Sequence, residues 1–230
     1  MWETIDSRER HKQRWDGHEH IARVIDNGEN PVLWIAMEYM GAGDLEALLE
    51  EHPDGLSINQ PLWTGECVCK GLEIADKLGM SHLDVKPENV LLKETDGWPW
   101  PKLADWGLAR TLAIETGTMD ALSPKYAAPE QFDSSTYGGP DQLTAIYQTG
   151  ALLFALLTGE PPVTGSHTEV VGTVLGGDSL RPPSDRRPEL PPVVDAAVGL
   201  DSKNKKQTDM IRSPTSGKSS LQSGQTRGFR

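Results

Sequence analysis

The chain has 230 residues and a formal net charge of −12, but residues 199–230 alone hold seven basic and two acidic side chains, a net of +5, so residues 1–198 carry −17. An acidic body of this kind repels phosphate backbones, which argues against nucleic acid as a partner. The longest apolar run, 151–157, is far shorter than the roughly 20 residues of a membrane-spanning helix, so we expect no membrane partner either.

The first 20 residues are rich in charge and lack the apolar core of a secretory signal, so we expect none there. Cys67 and Cys69 are the only cysteines, which are too few for a structural metal site or for a disulfide framework. Both features favour a protein of the reducing cytoplasm.

In the first part of the chain, charge and apolar alternation predict two helices and two strands. We expect a helix over 1–16, strands over 21–25 and 32–37, and between the strands a turn over 26–28. Asp44 follows a short loop and is placed to cap a helix that runs to residue 51.

The later elements are predicted from helical apolar spacing and from the positions of glycine and proline. We expect a helix over 60–79, short strands at 90–92 and 102–104 around a turn at 96–97, and a buried helix over 143–158. Prolines and charges predict a loop over 176–192. Beyond residue 199 the composition is polar and typical of disorder.

Three motifs follow one another in the middle of the chain. They read S-H-L-D-V-K-P-E-N-V-L-L at 81–92, K-L-A-D-W-G-L-A-R at 102–110 and Y-A-A-P-E-Q at 126–131. Any one of them has a simple structural interpretation: a D-x-G triplet is a common turn, and A-P-E is a common helix start. Their order and spacing are much harder to obtain by chance.

Together the motifs resemble the catalytic loop, the magnesium-binding segment and the A-P-E segment of eukaryotic-type serine/threonine protein kinases. The resemblance implies an α+β, two-lobed, protein-kinase-like fold with an incomplete small β lobe and a mainly helical large lobe. It also implies a division of the chain into a small-lobe remnant over 1–40, a large lobe over 41–198 and a basic, disordered tail over 199–230.

The resemblance assigns roles that the chemistry supports. Asp84 would accept or orient the proton of the attacking hydroxyl, and Lys86 would neutralise charge on the γ-phosphoryl oxygens. Asn89 and Asp105 offer hard oxygen ligands, which suit Mg²⁺. His82 is expected to be a packed, structural histidine.

The nucleotide site follows from the same resemblance. Met37 would lie at the back of the adenine pocket, backbone groups of Glu38 and Met40 would bind the adenine, and Leu91 would pack beneath it. Ser123 stands where the family usually has a threonine, and a hydroxyl there favours serine or threonine over tyrosine as the acceptor.

Several positions depart from the family pattern. Glu9 is the candidate for the glutamate that pairs with the ATP-gripping lysine, yet neither glycine nor lysine occurs among the residues before it, so we expect an incomplete small lobe. Leu83 replaces an arginine that reads a phosphorylated activation loop. Ala145 replaces an aspartate that anchors the catalytic loop, so we expect a looser site. Glu130 would find its arginine partner only in the basic tail, where Arg212 is a poor candidate.

Two functions therefore stay open on the sequence alone. The first is a protein kinase that uses ATP and Mg²⁺ to phosphorylate serine or threonine in a protein partner. The second is a catalytically impaired pseudokinase or kinase fragment that acts only as a binding module.

Overall fold

The computed structural model describes residues 18–32, 34–106, 123–176 and 180–199. The strands are β1 (Val24–Gly28), β2 (Trp34–Met37), β3 (Val90–Lys93) and β4 (Trp100–Leu103). The helices are α1 (Leu45–Glu50), α2 (Asn59–Lys77), α3 (Pro129–Phe132), α4 (Ser134–Tyr137), α5 (Gln142–Thr158), α6 (His167–Leu175), α7 (Pro183–Arg186) and α8 (Val193–Val198). The predicted helix at 1–16 and the predicted disorder at 200–230 lie outside the described residues.

The strands β1 and β2 form an antiparallel hairpin, as the alternation predicts, but the predicted turn is wrong. Asn27 pairs with Ile35 and Gly28 pairs with Trp34, so the residues expected to turn belong to β1. The connection instead contains Pro31, which has no N–H to give to a strand ladder and therefore favours a turn.

The second hairpin connects the motif at 81–92 to the motif that begins at Lys102. The strands β3 and β4 pair antiparallel, with Val90 opposite Leu103. Val90 and Leu92 are buried while Leu91 is half-buried, so alternate side chains of β3 point into the large-lobe core. Ala22 donates its N–H to the Leu103 carbonyl at 2.8 Å, which attaches the segment before β1 to β4.

The core of the large lobe is built around α5. This helix is apolar on nearly every side and is buried along most of its length, as expected for a helix enclosed by other elements. It packs against α2, α7 and α8. Asp141 caps its first turn, and Gly159 ends it with φ of 82°, a left-handed conformation that favours glycine.

The other predicted helices are also found. Asp44 accepts a hydrogen bond from the Ala47 N–H at 2.9 Å and caps α1. The helix α2 matches the prediction at 60–79 to within two residues at each end. The predicted loop at 176–192 is wrong in part, because Pro183 starts the one-turn helix α7, and a proline is well suited to a first helical position. No helix in the described ranges is long and apolar enough to cross a membrane.

Candidate active site

The catalytic loop, residues 82–89, connects α2 to β3 and ends in a 3₁₀ turn at Pro87–Asn89. Asp84 and Asn89 are both buried. The Asn89 Nδ2 donates to the Asp84 backbone carbonyl at 2.7 Å and to Asp84 Oδ2 at 2.9 Å. The first bond ties Asn89 to the loop backbone and the second orients the Asp84 carboxylate, and both leave the Asn89 Oδ1 as the amide atom that can bind a cation.

Lys86 lies beside the same carboxylate. Its Nζ is 3.4 Å from Asp84 Oδ2 and donates to the Ser123 Oγ at 2.8 Å. The side chains of Asp84 and Lys86 are only 12% and 17% exposed, so they are not the solvated surface pair that a lone Asp and Lys would most often form. The structure thus brings together an acceptor carboxylate and a cation of the same loop and a hydroxyl from a distant part of the chain.

His82 ties the catalytic loop to the segment that carries Asp105. Its Nε2 donates to the Ala104 carbonyl at 2.8 Å, while its Nδ1 accepts from the Asp84 N–H at 3.4 Å. Burial lowers the pKa of His82 to about 4, against the opposing effects of the Ala104 carbonyl and the Asp84 charge. The imidazole is therefore neutral at pH 7 and acts as a packed, structural side chain, as expected.

Asp105 follows directly after that anchored segment. The Ala104 N–H donates to the Asn89 carbonyl at 2.9 Å. This bond joins the residue before Asp105 to Asn89, so the two predicted metal ligands lie on adjoining stretches of backbone. Asp105 has φ of 57° and is exposed, so its carboxylate is accessible. Gly107, expected to turn the chain after it, lies outside the described residues.

The hinge follows β2. The Glu38 N–H donates to the Arg23 carbonyl at 2.9 Å, and the Glu38 carboxylate accepts from Lys102 Nζ at 2.6 Å and from the Arg23 N–H at 2.9 Å. Among the described residues, the Glu38 carbonyl and the Met40 N–H have no hydrogen-bond partner, so both can serve a ligand.

The other two predicted pocket residues flank this hinge. Met37 ends β2, and Leu91 in β3 forms a bridge with Asp44 just after the hinge. Both side chains are half-buried. The site residues predicted for the adenine therefore come from β2, the hinge and β3.

One anchor of the catalytic loop was missed by the sequence interpretation. Gln148 of α5 is 2% exposed; its Oε1 accepts from the Val85 N–H at 3.0 Å, and its Nε2 donates to the Leu83 carbonyl at 3.2 Å. The signal was present in the sequence as an amide side chain in the middle of a mainly apolar helix, but local spacing does not encode its long-range partners.

Comparisons with known proteins agree with this geometry. The sequence profile of the protein kinase domain family matches residues 6–179. The chain belongs to the protein kinase family. Serine/threonine-protein kinase ATG1a of Arabidopsis thaliana is 30% identical to it over 196 residues, which cover 81% of this chain and 30% of that protein. PknB of Mycolicibacterium smegmatis, another serine/threonine-protein kinase, is 31% identical over 193 residues, which cover 79% of this chain and 29% of that protein.

Solved kinase structures share the fold. The Mycobacterium tuberculosis PknI kinase domain, in a double-mutant form, superposes with a TM-score of 0.61 at 26% identity and covers 87% of this chain and 72% of its own. Rad53 residues 1–466 in complex with AMP-PNP superpose with a TM-score of 0.67 at 22% identity, covering 86% of this chain and 50% of its own. The kinase-like fold class is therefore confirmed, and the chain spans about a third of the length of the curated relatives it matches.

The bonding of Glu130 differs from the family pattern. Among the described residues, no arginine forms a salt bridge with the buried Glu130. The Thr144 hydroxyl of α5 donates to Glu130 Oε1 at 2.6 Å instead. Glu9, the candidate for the glutamate that pairs with the ATP-gripping lysine, lies outside the described residues. Arg212, the poor candidate for the partner of Glu130, lies outside them as well.

Proposed function

We propose that this kinase transfers the γ-phosphoryl group of ATP to serine or threonine hydroxyls of proteins. The observation that carries the proposal is the convergence of Asp84, Lys86 and Ser123 through contacts of 3.4 Å and 2.8 Å. Phosphoryl transfer depends on positioning and charge neutralisation more than on covalent help, and these three side chains offer both.

In the proposed reaction, Asp84 accepts the hydrogen bond of the attacking hydroxyl and takes its proton as the phosphoryl group is transferred. Lys86 lies next to that carboxylate and stabilises negative charge on the transferred group. Its bond to Ser123 holds the acceptor-docking segment near Asp84. A hydroxyl-bearing docking segment supports serine or threonine as the acceptor.

The residues present suit the cofactors that this reaction requires. Asn89 Oδ1 and the exposed Asp105 carboxylate are oxygen donors of the kind that Mg²⁺ prefers, and bound Mg²⁺ would supply charge neutralisation on the phosphates. The Glu38 carbonyl and Met40 N–H would pair with the adenine, between the apolar side chains of Met37 and Leu91.

The proposal assigns different roles to three parts of the chain. Residues 1–40 contribute the small-lobe part of the nucleotide site and residues 41–198 contribute the chemistry, while residues 199–230 form a tail outside the kinase fold. Cys67 and Cys69 are both free thiols, which supports activity in the cytoplasm.

Transfer assays with three otherwise identical peptides that differ in the acceptor test this function. The purified chain, with ATP and Mg²⁺, should label the serine and threonine peptides and leave the tyrosine peptide unlabelled. Chelation of Mg²⁺ should abolish the labelling. Absence of label on all three peptides would contradict the proposal and favour a binding module, and equal labelling of tyrosine would contradict the assigned specificity.

A further inference from the structure

Gln148 holds the two residues that flank Asp84. It projects from α5, the most buried helix, and is itself 2% exposed. Its Oε1 accepts from the N–H of Val85, the residue after Asp84, and its Nε2 donates to the carbonyl of Leu83, the residue before it. One side chain therefore fixes the backbone on both sides of the proposed catalytic carboxylate.

The chemistry of these contacts requires a primary amide. A backbone N–H can only donate and a carbonyl can only accept, so the orientation of the Gln148 amide is determined by its partners. Its second N–H donates to the Gln131 Oε1 at 2.9 Å. The side chain thus uses one acceptor and two donors, a set that a carboxylate lacks.

Gln131 extends the arrangement to the A-P-E segment. Its Nε2 donates to the Leu83 carbonyl at 2.9 Å, and its Oε1 accepts from the Ala128 N–H at 3.0 Å as well as from Gln148. The Leu83 carbonyl therefore receives two donors, one from each glutamine. Because these groups are buried or half-buried, removal of one amide leaves several polar atoms without partners, which is costly in a protein interior.

Leu83 has a conformation that needs such support. Its φ is 59°, and a left-handed backbone is unfavourable for a branched side chain. The two hydrogen bonds to its carbonyl stabilise this conformation. The backbone at Leu83 in turn determines the direction in which the Asp84 side chain points. Ala145, one turn earlier on α5, has no polar side-chain atom that could provide the same bonds.

We propose that Gln148 is a positioning residue for Asp84, and that it couples the catalytic loop to the A-P-E segment through Gln131. The role in catalysis rests on the proposed phosphoryl transfer, whereas the role in holding the loop does not. The two can therefore be tested by separate measurements on the full chain.

The informative variants change the hydrogen-bonding groups at nearly constant size. Gln148→Met keeps an unbranched side chain and removes both donors and the acceptor. Gln148→Glu keeps the acceptor for Val85 but turns a carboxylate towards the Leu83 carbonyl and Gln131 Oε1. The control is Thr149→Val, because Thr149 is also buried in α5 but its hydroxyl bonds only to the Ala145 carbonyl of its own helix.

Hydrogen exchange tests the holding role without any need for activity. In Gln148→Met, the Val85 amide should exchange about tenfold faster or more than in the wild type, while amides in the middle of α2 keep their rates. Thr149→Val should leave the Val85 amide unchanged. Unchanged Val85 exchange in Gln148→Met, or equal acceleration in the control, would overturn the proposal.

Steady-state kinetics test the catalytic consequence. Gln148→Met should lower kcat about tenfold or more and leave KM for ATP within about twofold, because the hinge contacts are untouched. A change confined to KM would contradict positioning of Asp84. If the wild type shows no transfer, the proposed function fails, and Val85 exchange still decides whether Gln148 holds the loop.

The pH profile of kcat in Gln148→Glu distinguishes a role of Gln148 in hydrogen bonding from a role in filling space. It also tests the proposal if Gln148→Met fails to fold. A protonated carboxyl regains one donor, so the ratio of variant to wild-type kcat should rise as the pH falls from 8 to 6. The titratable groups around this position are His82, Asp84, Lys86, Glu130 and Tyr147. All occur in both proteins, so division by the wild-type kcat removes the part of the pH dependence that does not involve the introduced carboxyl. A ratio that is independent of pH, with kcat and Val85 exchange equal to those of the wild type, would overturn the proposal.

Discussion

The catalytic loop and the β1–β2 hairpin differ in how many parts of the chain hold them. The loop at 82–89 is bonded to α5 through Gln148, to the A-P-E segment through Gln131 and to the end of β4 through His82. The hairpin exposes large apolar side chains; Ile25 is 53% exposed, and Trp34 and Ile35 are each 40% exposed.

Among the described residues, β1 and β2 contact chiefly each other, and the chain segments before and after them attach the hairpin to β4. The Glu38–Lys102 ion pair fastens the hinge to β4, and the Ala22–Leu103 hydrogen bond fastens the segment before β1. The geometry proposed for phosphoryl transfer is thus held by the large-lobe core, whereas the position of the hairpin depends on the contacts made by its two ends. Substitutions should therefore act differently in the two regions.

Glycine substitutions should show the largest contrast in stability. A Cβ at Gly159 would overlap the backbone carbonyl of Pro53. The atoms nearest to a Cβ at Gly28, at 2.7 Å, belong to the exposed Trp34 side chain, which can move. We expect Gly159→Ala to lower the free energy of unfolding by about 3 kcal/mol or more and Gly28→Ala by about 1 kcal/mol or less. Urea unfolding measures both.

The matched control for Gly159 is Gly79, which has a similar φ of 73° but nothing within 4 Å of an added Cβ. Gly79→Ala should cost only the left-handed backbone, about 1 kcal/mol. Equal losses at Gly159 and Gly79 would show that close packing at the end of α5 does not contribute.

His82 should make the catalytic-loop region sensitive to mild acid. Its pKa of about 4 in the folded state lies below the value of about 6.5 expected in the unfolded chain, so stability decreases as the pH falls through 6.5 towards 4. Between pH 7.5 and 5.5 this group should account for a loss of about 1.4 kcal/mol. His82→Gln should lack this part of the pH dependence of the free energy of unfolding.

The measurement is urea unfolding at the two pH values. His52→Gln, which removes an exposed histidine after α1, serves as the comparison. A His82→Gln protein with the full wild-type pH dependence would show that the buried imidazole is not the group responsible.

The Glu38–Lys102 pair should give the smallest effect, and it tests the other region. Burial alone raises the pKa of Glu38, but the Lys102 and Arg23 hydrogen bonds and the nearby lysine charges together lower it below its usual value of 4.5. The contribution to stability is therefore full above pH 4.5 and is lost as the pH falls through the lowered pKa. We expect Glu38→Gln to cost about 1 kcal/mol at pH 7.

Urea unfolding at pH 7 and pH 3.5 checks this prediction, because the difference between wild type and variant should shrink in acid. Glu73→Gln removes an exposed pair with Lys77 on α2 and should cost less. A Glu38→Gln effect that grows in acid would have the wrong sign for a carboxylate with a lowered pKa.

The elements that depend on neighbouring residues in the sequence could be predicted, and those that depend on distant residues could not. The helices α2 and α5 could be predicted because their spacing, glycine stops and apolar faces are local properties of the sequence. The turn at 26–28 could not, because the pairing of Asn27 and Gly28 with β2 overrode a local turn preference. The roles of Asp84, Lys86, Asn89 and Asp105 were predicted from motif order, and the contacts made by the first three are compatible with those roles.

Gln148 shows where sequence reasoning reached its limit. The absence of a carboxylate at Ala145 led to the expectation of a loose catalytic loop, yet the loop is bonded by an amide one turn later on the same helix. Its partners in the loop, Val85 and Leu83, lie more than 60 residues away in sequence. The packing of α5 against the loop shows that Gln148 makes hydrogen bonds to the loop backbone that Ala145 cannot make.

The rate of phosphoryl transfer from ATP by Asp84→Asn tests whether the catalytic loop is assembled for this reaction. This variant keeps the size of the side chain and removes the acceptor carboxylate, so we expect the rate to fall about a hundredfold or more. Glu88→Gln, which changes an exposed carboxylate in the same loop, should retain the wild-type rate. Equal rates for the wild type and Asp84→Asn would contradict the account.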